Sequence, residues 1–346
     1  MIKIIGLGAG ELDQLPLGIY KVLKSSGKIY VRTSQHPVVK DLLLEGIQIE
    51  SFDEIYEKHE HFEPVYEEIV SALLKESKAG DIVYAVPGHP MVAERTVQLL
   101  QESGEEIEII GGQSFLDAMF TAVQVDPVEG FQFLDGTAIK KHEIQITQHV
   151  IVAQVYDAYV ASDVKLTLMD KYPDDHEIVI VKNAGMKNQR VERLPLFELD
   201  HGLELSNLMS IYVPPTDQVN REFWNLREIF DILRGPNGCP WDKKQTHESL
   251  TKNISEETNE YIQAVENKDI DNMIEELGDV LLQIMLNAKI GEDEGYFTID
   301  DVIEGIANKM IRRHPHVFGE EEANTPEEAI KMFNKMKKLE KEDKLK

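Results

Sequence analysis

The sequence predicts a multi-domain chain, an α/β domain followed by an all-α one, on three observations. Short β-branched runs alternate with longer amphipathic stretches as far as about residue 215. Pro214-Pro215-Thr216 then breaks the chain, and helical periodicity with few strand signals fills the remainder. A length of 346 residues suits two domains of ordinary size, and 42% hydrophobic content is enough for two packed cores.

Taken in order, the expected strands are Ile2 to Ile5, Ile82 to Val86, Ile107 to Ile110, Val150 to Val155, Ile178 to Val181 and Ser210 to Val213, apolar runs too short for helices. The boundary falls near residues 214–222, giving domains 1–215 and 222–346. Helices are expected at about 222–234, 246–266, 270–291, 299–313 and 326–341. The third starts after Asp269 or Asp271, and the last is capped by Thr325-Pro326-Glu327-Glu328.

Charge excludes some functions. Lys and Arg number 36 against 63 Asp and Glu, a net charge of −27, so general binding to nucleic acid or to an anionic membrane is not expected. The single cysteine, Cys239, rules out an intrachain disulfide framework. No basic leader or apolar signal core precedes the strand-like Met1-Ile2-Lys3-Ile4-Ile5, and no run approaches the length of a membrane span. A cytoplasmic location is expected.

The helical part carries the clearest chemistry. Glu257 and Glu260 share a face of one expected helix, and Glu276 and Asp279 share a face of the next. If the two helices pair antiparallel, four carboxylates converge, and a hard divalent cation, Mg²⁺ by preference, relieves their repulsion. Glu276, Asp279, Gln283 and Asn287 draw a polar stripe along an otherwise apolar helix. Spacing alone leaves the alternative that these acids form a solvated face. Trp241, in the turn Gly235-Pro236-Asn237-Gly238-Cys239-Pro240-Trp241-Asp242, either stacks on a planar ligand or closes the core. Lys309, Arg312 and Arg313 lie on one helical face. They suit the phosphates of a nucleoside triphosphate, or the cation preference of a helix end.

Together CPWDKKQTHESL, EETNEY, EELGDVLLQ and NKMIRRHPHVFG, in that order across residues 222–341, resemble the signatures of the MazG family of nucleoside triphosphate pyrophosphohydrolases. The resemblance implies an all-α fold, a homodimer or higher homo-oligomer through the helical domain, and Mg²⁺-dependent cleavage between the α- and β-phosphates. It implies Glu257, Glu260, Glu276 and Asp279 as metal ligands. Glu256, at the edge of the site, would either orient or activate water or support the metal ligands from behind; Lys309, Arg312 and Arg313 would meet phosphates, and Trp241 would face the base. Where the family often has Trp four residues before a Lys, this chain has Phe333 before Lys337.

In the first domain, Ile2 to Ile5 runs into Gly6-Leu7-Gly8-Ala9-Gly10-Glu11, a Gly-rich turn that lets backbone approach a ligand but lacks the last glycine of a dinucleotide fingerprint. Ala85-Val86-Pro87-Gly88-His89-Pro90 and Gly111-Gly112-Gln113-Ser114-Phe115 are further loops at strand ends, where α/β sheets bind ligands. Over residues 1–214 these loops resemble the tetrapyrrole methylase family. That resemblance implies two α/β subdomains with S-adenosylmethionine in the cleft between them, and Ala9, Gly88, His89, Val92, Ser114 and Phe115 as cofactor contacts. His89 reads either as a base or as a loop-shaping hydrogen-bond partner. The family usually has Pro and Asp where this chain has Ala9 and Glu11, and Asp where it has His89.

The expected function is hydrolysis of nucleoside triphosphates to monophosphate and pyrophosphate, with methyl transfer as a second activity. Two alternatives remain at this stage: a non-catalytic sensor of nucleotide or S-adenosylmethionine, and a methyltransferase with a helical dimerisation module.

Overall fold

The computed structural model describes residues 1–59, 61–202, 206 and 208–343 and divides into two compact units, 1–219 and 220–346.

The first unit holds two five-stranded sheets. Strands β1 (Ile2–Gly6), β2 (Ile29–Val31), β3 (Glu50–Ser51), β4 (Ile82–Val86) and β5 (Ile107–Gly111) form a parallel sheet in the order β3-β2-β4-β1-β5. Both faces are covered, as a parallel sheet requires. Ile82, Tyr84 and Val86 of β4 pack under α3 (Asp53–Lys58), α4 (Phe62–Ser77) and α5 (Arg95–Glu102). Val83 and Ala85 face the opposite way, toward α1 (Leu17–Ser25) and α2 (Pro37–Leu44).

The second sheet, β6 (Phe131–Asp135), β7 (His149–Ala153), β8 (Glu177–Lys182), β9 (Arg190–Pro195) and β10 (Met209–Val213), has the order β6-β7-β10-β8-β9. Only β6 and β7 run parallel; the other pairs are antiparallel. Val150, Val152, Ile178 and Ile180 pack with α7 (Ala158–Met169), while Ile151, Val179 and Val181 pack with α6 (Phe115–Val123).

Four strands, β2, β3, β6 and β9, were not expected. β2 and β3 have three and two residues, too few for a periodic signal. β9 is an edge strand whose charged residues carry no apolar run.

The second unit is helical: α8 (Phe223–Arg234), α9 (His247–Asn267), α10 (Ile270–Asp293), α11 (Ile299–Arg313), the short α12 (Pro315–Phe318) and α13 (Pro326–Asp343). Its core joins Phe230, Leu250, Met285, Leu286, Ala288, Ile290 and Ile299. No helix among the described residues is long and apolar enough to cross a membrane.

Candidate functional site

Helices α9 and α10 form a hairpin closed at Lys268, which takes the left-handed conformation (φ 57°). Side-chain caps fix where each helix starts. Thr246 Oγ1 accepts from the Ser249 N–H (3.2 Å), and Asp269 Oδ1 accepts from the Asn272 N–H (3.2 Å). A fixed start fixes the face from which the carboxylates project.

One carboxylate oxygen from each of Glu257, Glu260 and Glu276 lies within 4.8 Å of the others. The charge of Asp279 acts on the same spot. Burial first, then the charges of Asp279 and Glu260, push Glu257 above the ordinary carboxylate range, against a hydrogen bond from Gln283. Burial, Glu260 and Asp279 push Glu276 the same way. Glu256 is exposed and adds to the repulsion on Glu257.

Glu276 is only 8% exposed and Gln283 only 3%, yet Glu276 Oε2 and Gln283 Oε1 have no hydrogen-bond donor. Buried oxygens without donors, beside carboxylates that repel one another, are a donor set suited to a hard divalent cation. The residues present therefore fit Mg²⁺.

Gln283 also lines a neighbouring cavity of about 320 Å³, with His247, Leu250, Asn287, Phe297 and Val302. Asn287 Nδ2 donates to the Gln283 carbonyl (2.8 Å), which turns Asn287 Oδ1 toward His247 Nδ1 at 2.9 Å. The His247 ring stacks on Phe297, with centroids 5.9 Å apart. A wall with one aromatic stack and a few fixed amides is the composition of a small-ligand site.

Lys309, Arg312 and Arg313 end α11, which packs against both α10 and α13. Both arginines are ion-paired to Glu340. Trp241 stands outside the cavity wall, 54% exposed at the start of a short 3-10 turn.

In the α/β unit, the loops after β1 and β4 meet through a backbone bridge, Gly88 N–H to Gly8 O at 2.8 Å and Gly8 N–H to Gly88 O at 3.2 Å. Approach this close needs glycine: a Cβ on Gly6 would sit 2.2 Å from the Gly88 oxygen. A cavity of about 240 Å³ opens beside the bridge, and Ala9, Gly88, His89, Val92 and Phe115 line it. Ser114 does not line it; its Oγ caps α6 by accepting from the Leu116 N–H (3.2 Å). His89 Nδ1 accepts from the Met91 N–H (3.1 Å), the loop-shaping arrangement.

Sequence reasoning missed several residues of this wall, among them Arg32, His36, Gln154 and Asn183. Gln154 (φ 62°), Asn183 (φ 54°) and the neighbouring Ala93 (φ 52°) hold left-handed backbone that non-glycine residues seldom adopt. Arg32 Nη1 donates to the buried Glu94 (2.9 Å) and Nε donates to the Tyr56 hydroxyl (2.8 Å). Burial alone would lower the Arg32 pKa; Glu94 and Tyr56 outweigh it and hold the guanidinium charged. His36 Nε2–H donates to the Gly8 carbonyl (3.0 Å), and burial pushes the imidazole pKa down. The signal available in sequence was Arg32 itself, directly after an apolar Ile-Tyr-Val run of three residues.

Comparison with known proteins agrees with this division. Residues 1–200 match the family of Tetrapyrrole (Corrin/Porphyrin) Methylases, and residues 245–318 match the MazG nucleotide pyrophosphohydrolase domain. The uncharacterized protein YabN of Bacillus subtilis is 52% identical over 98% of this chain and 71% of its own length. The nucleoside triphosphate pyrophosphohydrolase/pyrophosphatase MazG of Thermotoga maritima is 54% identical over 98 residues, 28% of this chain and 38% of that protein. A probable cobalt-precorrin-2 C(20)-methyltransferase of Methanocaldococcus jannaschii is 28% identical over 54% of this chain and 84% of its own length. The chain thus spans most of the Bacillus protein and well under half of the Thermotoga one.

Proposed function

Because the chain belongs to the tetrapyrrole methylase family through its first two hundred residues and carries a MazG domain behind them, we propose that its helical unit hydrolyses nucleoside triphosphates to monophosphate and pyrophosphate. The observation that carries this reading is the cluster of Glu257, Glu260 and Glu276, within 4.8 Å of one another, with buried oxygens that lack donors.

In this reading Glu257, Glu260, Glu276 and Asp279 hold Mg²⁺. When bound, the cation neutralises phosphate oxygens and makes the attacking water more acidic. Glu256, at the edge of the cluster, orients that water toward the α-phosphorus. Lys309, Arg312 and Arg313 stabilise the pyrophosphate as it leaves. The nucleoside lies in the 320 Å³ cavity, because Gln283 belongs to both wall and cluster. Along α10, Asp279 to Asn287 covers about 12 Å at 1.5 Å per residue, so the cluster and the cavity lie along one helix. Trp241 remains exposed and free to close over the base.

The α/β unit binds S-adenosylmethionine in its own cavity through Ala9, Gly88, His89, Val92 and Phe115, with Ser114 setting the start of α6. Methyl transfer is its corresponding activity. Ile270, Ile274, Leu277 and Leu281 form an exposed apolar stripe along α10, which supports a homodimer through the helical unit. The strongly acidic composition suits the cytoplasm.

The test is release of monophosphate and pyrophosphate from a panel of ribo- and deoxyribonucleoside triphosphates with Mg²⁺. Turnover by the intact chain, reduced at least about 100-fold by Glu257→Gln and by Glu276→Gln with the fold retained, is the expected result. No turnover on any triphosphate overturns the reading.

A further inference from the structure

Two adjacent guanidiniums at the end of α11 repel each other, and the structure places one carboxylate between them. Glu340 of α13 reaches back with both oxygens: Oε1 accepts from Arg312 Nε (3.2 Å), and Oε2 accepts from Arg313 Nε (3.1 Å) and Nη2 (2.7 Å). Seven residues earlier on the same face of α13, the Phe333 ring lies 5.2 Å from the Arg313 guanidinium carbon, and the His314 ring packs on it at 5.5 Å. Arg313 is therefore fixed on two sides, by a paired carboxylate and by an aromatic face.

What remains unpaired is informative. Among the described residues, both Nη groups of Arg312 and Nη1 of Arg313 have no protein partner. Arg312 is 55% exposed and Arg313 15%. The trio keeps a net charge of +1, with its free N–H groups on guanidiniums whose orientation Glu340 has set.

We propose that Glu340 is a positioning residue for phosphate recognition: by bridging Arg312 and Arg313 it holds their free N–H groups in the geometry that receives a pyrophosphate group. This rests on the pyrophosphohydrolase reading for the identity of the ligand and not for the geometry. The terminal helix is then part of the binding site rather than an appendage, although none of its residues needs to touch phosphate. A carboxylate beside phosphate-binding arginines weakens their charge, yet it removes the rotamer freedom that each would otherwise lose on binding.

The experiment is calorimetric binding of inorganic pyrophosphate with Mg²⁺ to the intact chain, which needs no turnover, with the melting temperature followed in parallel. Glu340→Gln is expected to weaken binding about tenfold, and Glu340→Asp to restore part of the loss. In an Arg313→Lys background, which already lacks the bidentate pair, adding Glu340→Gln should change affinity less than about twofold. Full additivity in that background would mean that Glu340 only pins α13 to the domain, and so would an affinity unaffected by Glu340→Gln despite a lower melting temperature. Either overturns the proposal, as does a wild-type chain that binds no pyrophosphate. Pyrophosphate binding that depends on Glu340 in a chain that hydrolyses no triphosphate would sustain it while removing the hydrolase reading.

Discussion

Glu257 and Glu276 illustrate how clustered carboxylates can oppose the fold that holds them. Both keep their protons more tightly folded than unfolded, through burial and neighbouring negative charge, relative to the ordinary glutamate value of 4.5. The sign follows from linkage. A carboxylate with a raised folded pKa favours the folded state while it is protonated, and that contribution is lost as pH rises from the unfolded value through the folded one. Metal-free protein should thus lose stability from this cluster as pH climbs from about 4.5 toward neutrality. Mg²⁺ should raise the melting temperature more at neutral pH than at about pH 5, measured by calorimetry in chelated and Mg²⁺-loaded samples. An equal effect at both pH values would count against the cluster as the metal site. Burial pushes the Glu94 carboxyl above the ordinary range as well, but here the charge and hydrogen bond of the partly exposed Arg32 work against the shift. Glu94→Gln should leave Arg32 without its counter-charge and cost about 3 kcal/mol in denaturant unfolding of the α/β unit. A loss below about 1 kcal/mol would show that solvent in the cavity screens the guanidinium.

At the scale of elements, α10 combines the separate roles of the helical unit. Glu276, Asp279, Gln283 and Asn287 carry the polar stripe, Met285, Leu286 and Ile290 fill the core, and Ile270, Ile274, Leu277 and Leu281 stay exposed. A helix apolar on a second face is normally covered by a partner. Leu277→Asp should convert an oligomer to monomer in analytical ultracentrifugation, with helical circular dichroism retained. An unchanged sedimentation coefficient would remove this stripe from the interface.

The same helix explains what was legible in advance. Carboxylates three and four residues apart are a local pattern, and Asp269 and Thr246 are caps that sequence can mark, so the α9–α10 hairpin was readable from spacing. Glu340 was not, because its pairing with Arg312 and Arg313 spans 28 and 27 residues and depends on how α13 returns to α11. Arg32 and Glu94, 62 residues apart, were hidden for the same reason, made worse by a β2 strand of three residues. The Gly-rich loops were visible as turns, but the bridge between Gly8 and Gly88 that shapes the cavity is a tertiary fact.

At the scale of the whole molecule, two units with separate cores and separate cavities share one chain. On the proposed reading, nucleotide hydrolysis belongs to residues 220–346 and S-adenosylmethionine binding to residues 1–219. Changes in one cavity should leave the other's ligand binding intact. Glu257→Gln should therefore abolish pyrophosphate release without altering the affinity for S-adenosylhomocysteine. The most direct measurement of the central claim is hydrolysis of the best triphosphate in oxygen-18 water with Mg²⁺, by the intact chain and by Glu257→Gln, with products resolved by mass spectrometry. Attack at the α-phosphorus places the label in the nucleoside monophosphate, leaves pyrophosphate unlabelled, and disappears in the variant. Label in pyrophosphate, release of orthophosphate, or undiminished turnover by Glu257→Gln would contradict a carboxylate-held metal centre that directs water at the α-phosphorus.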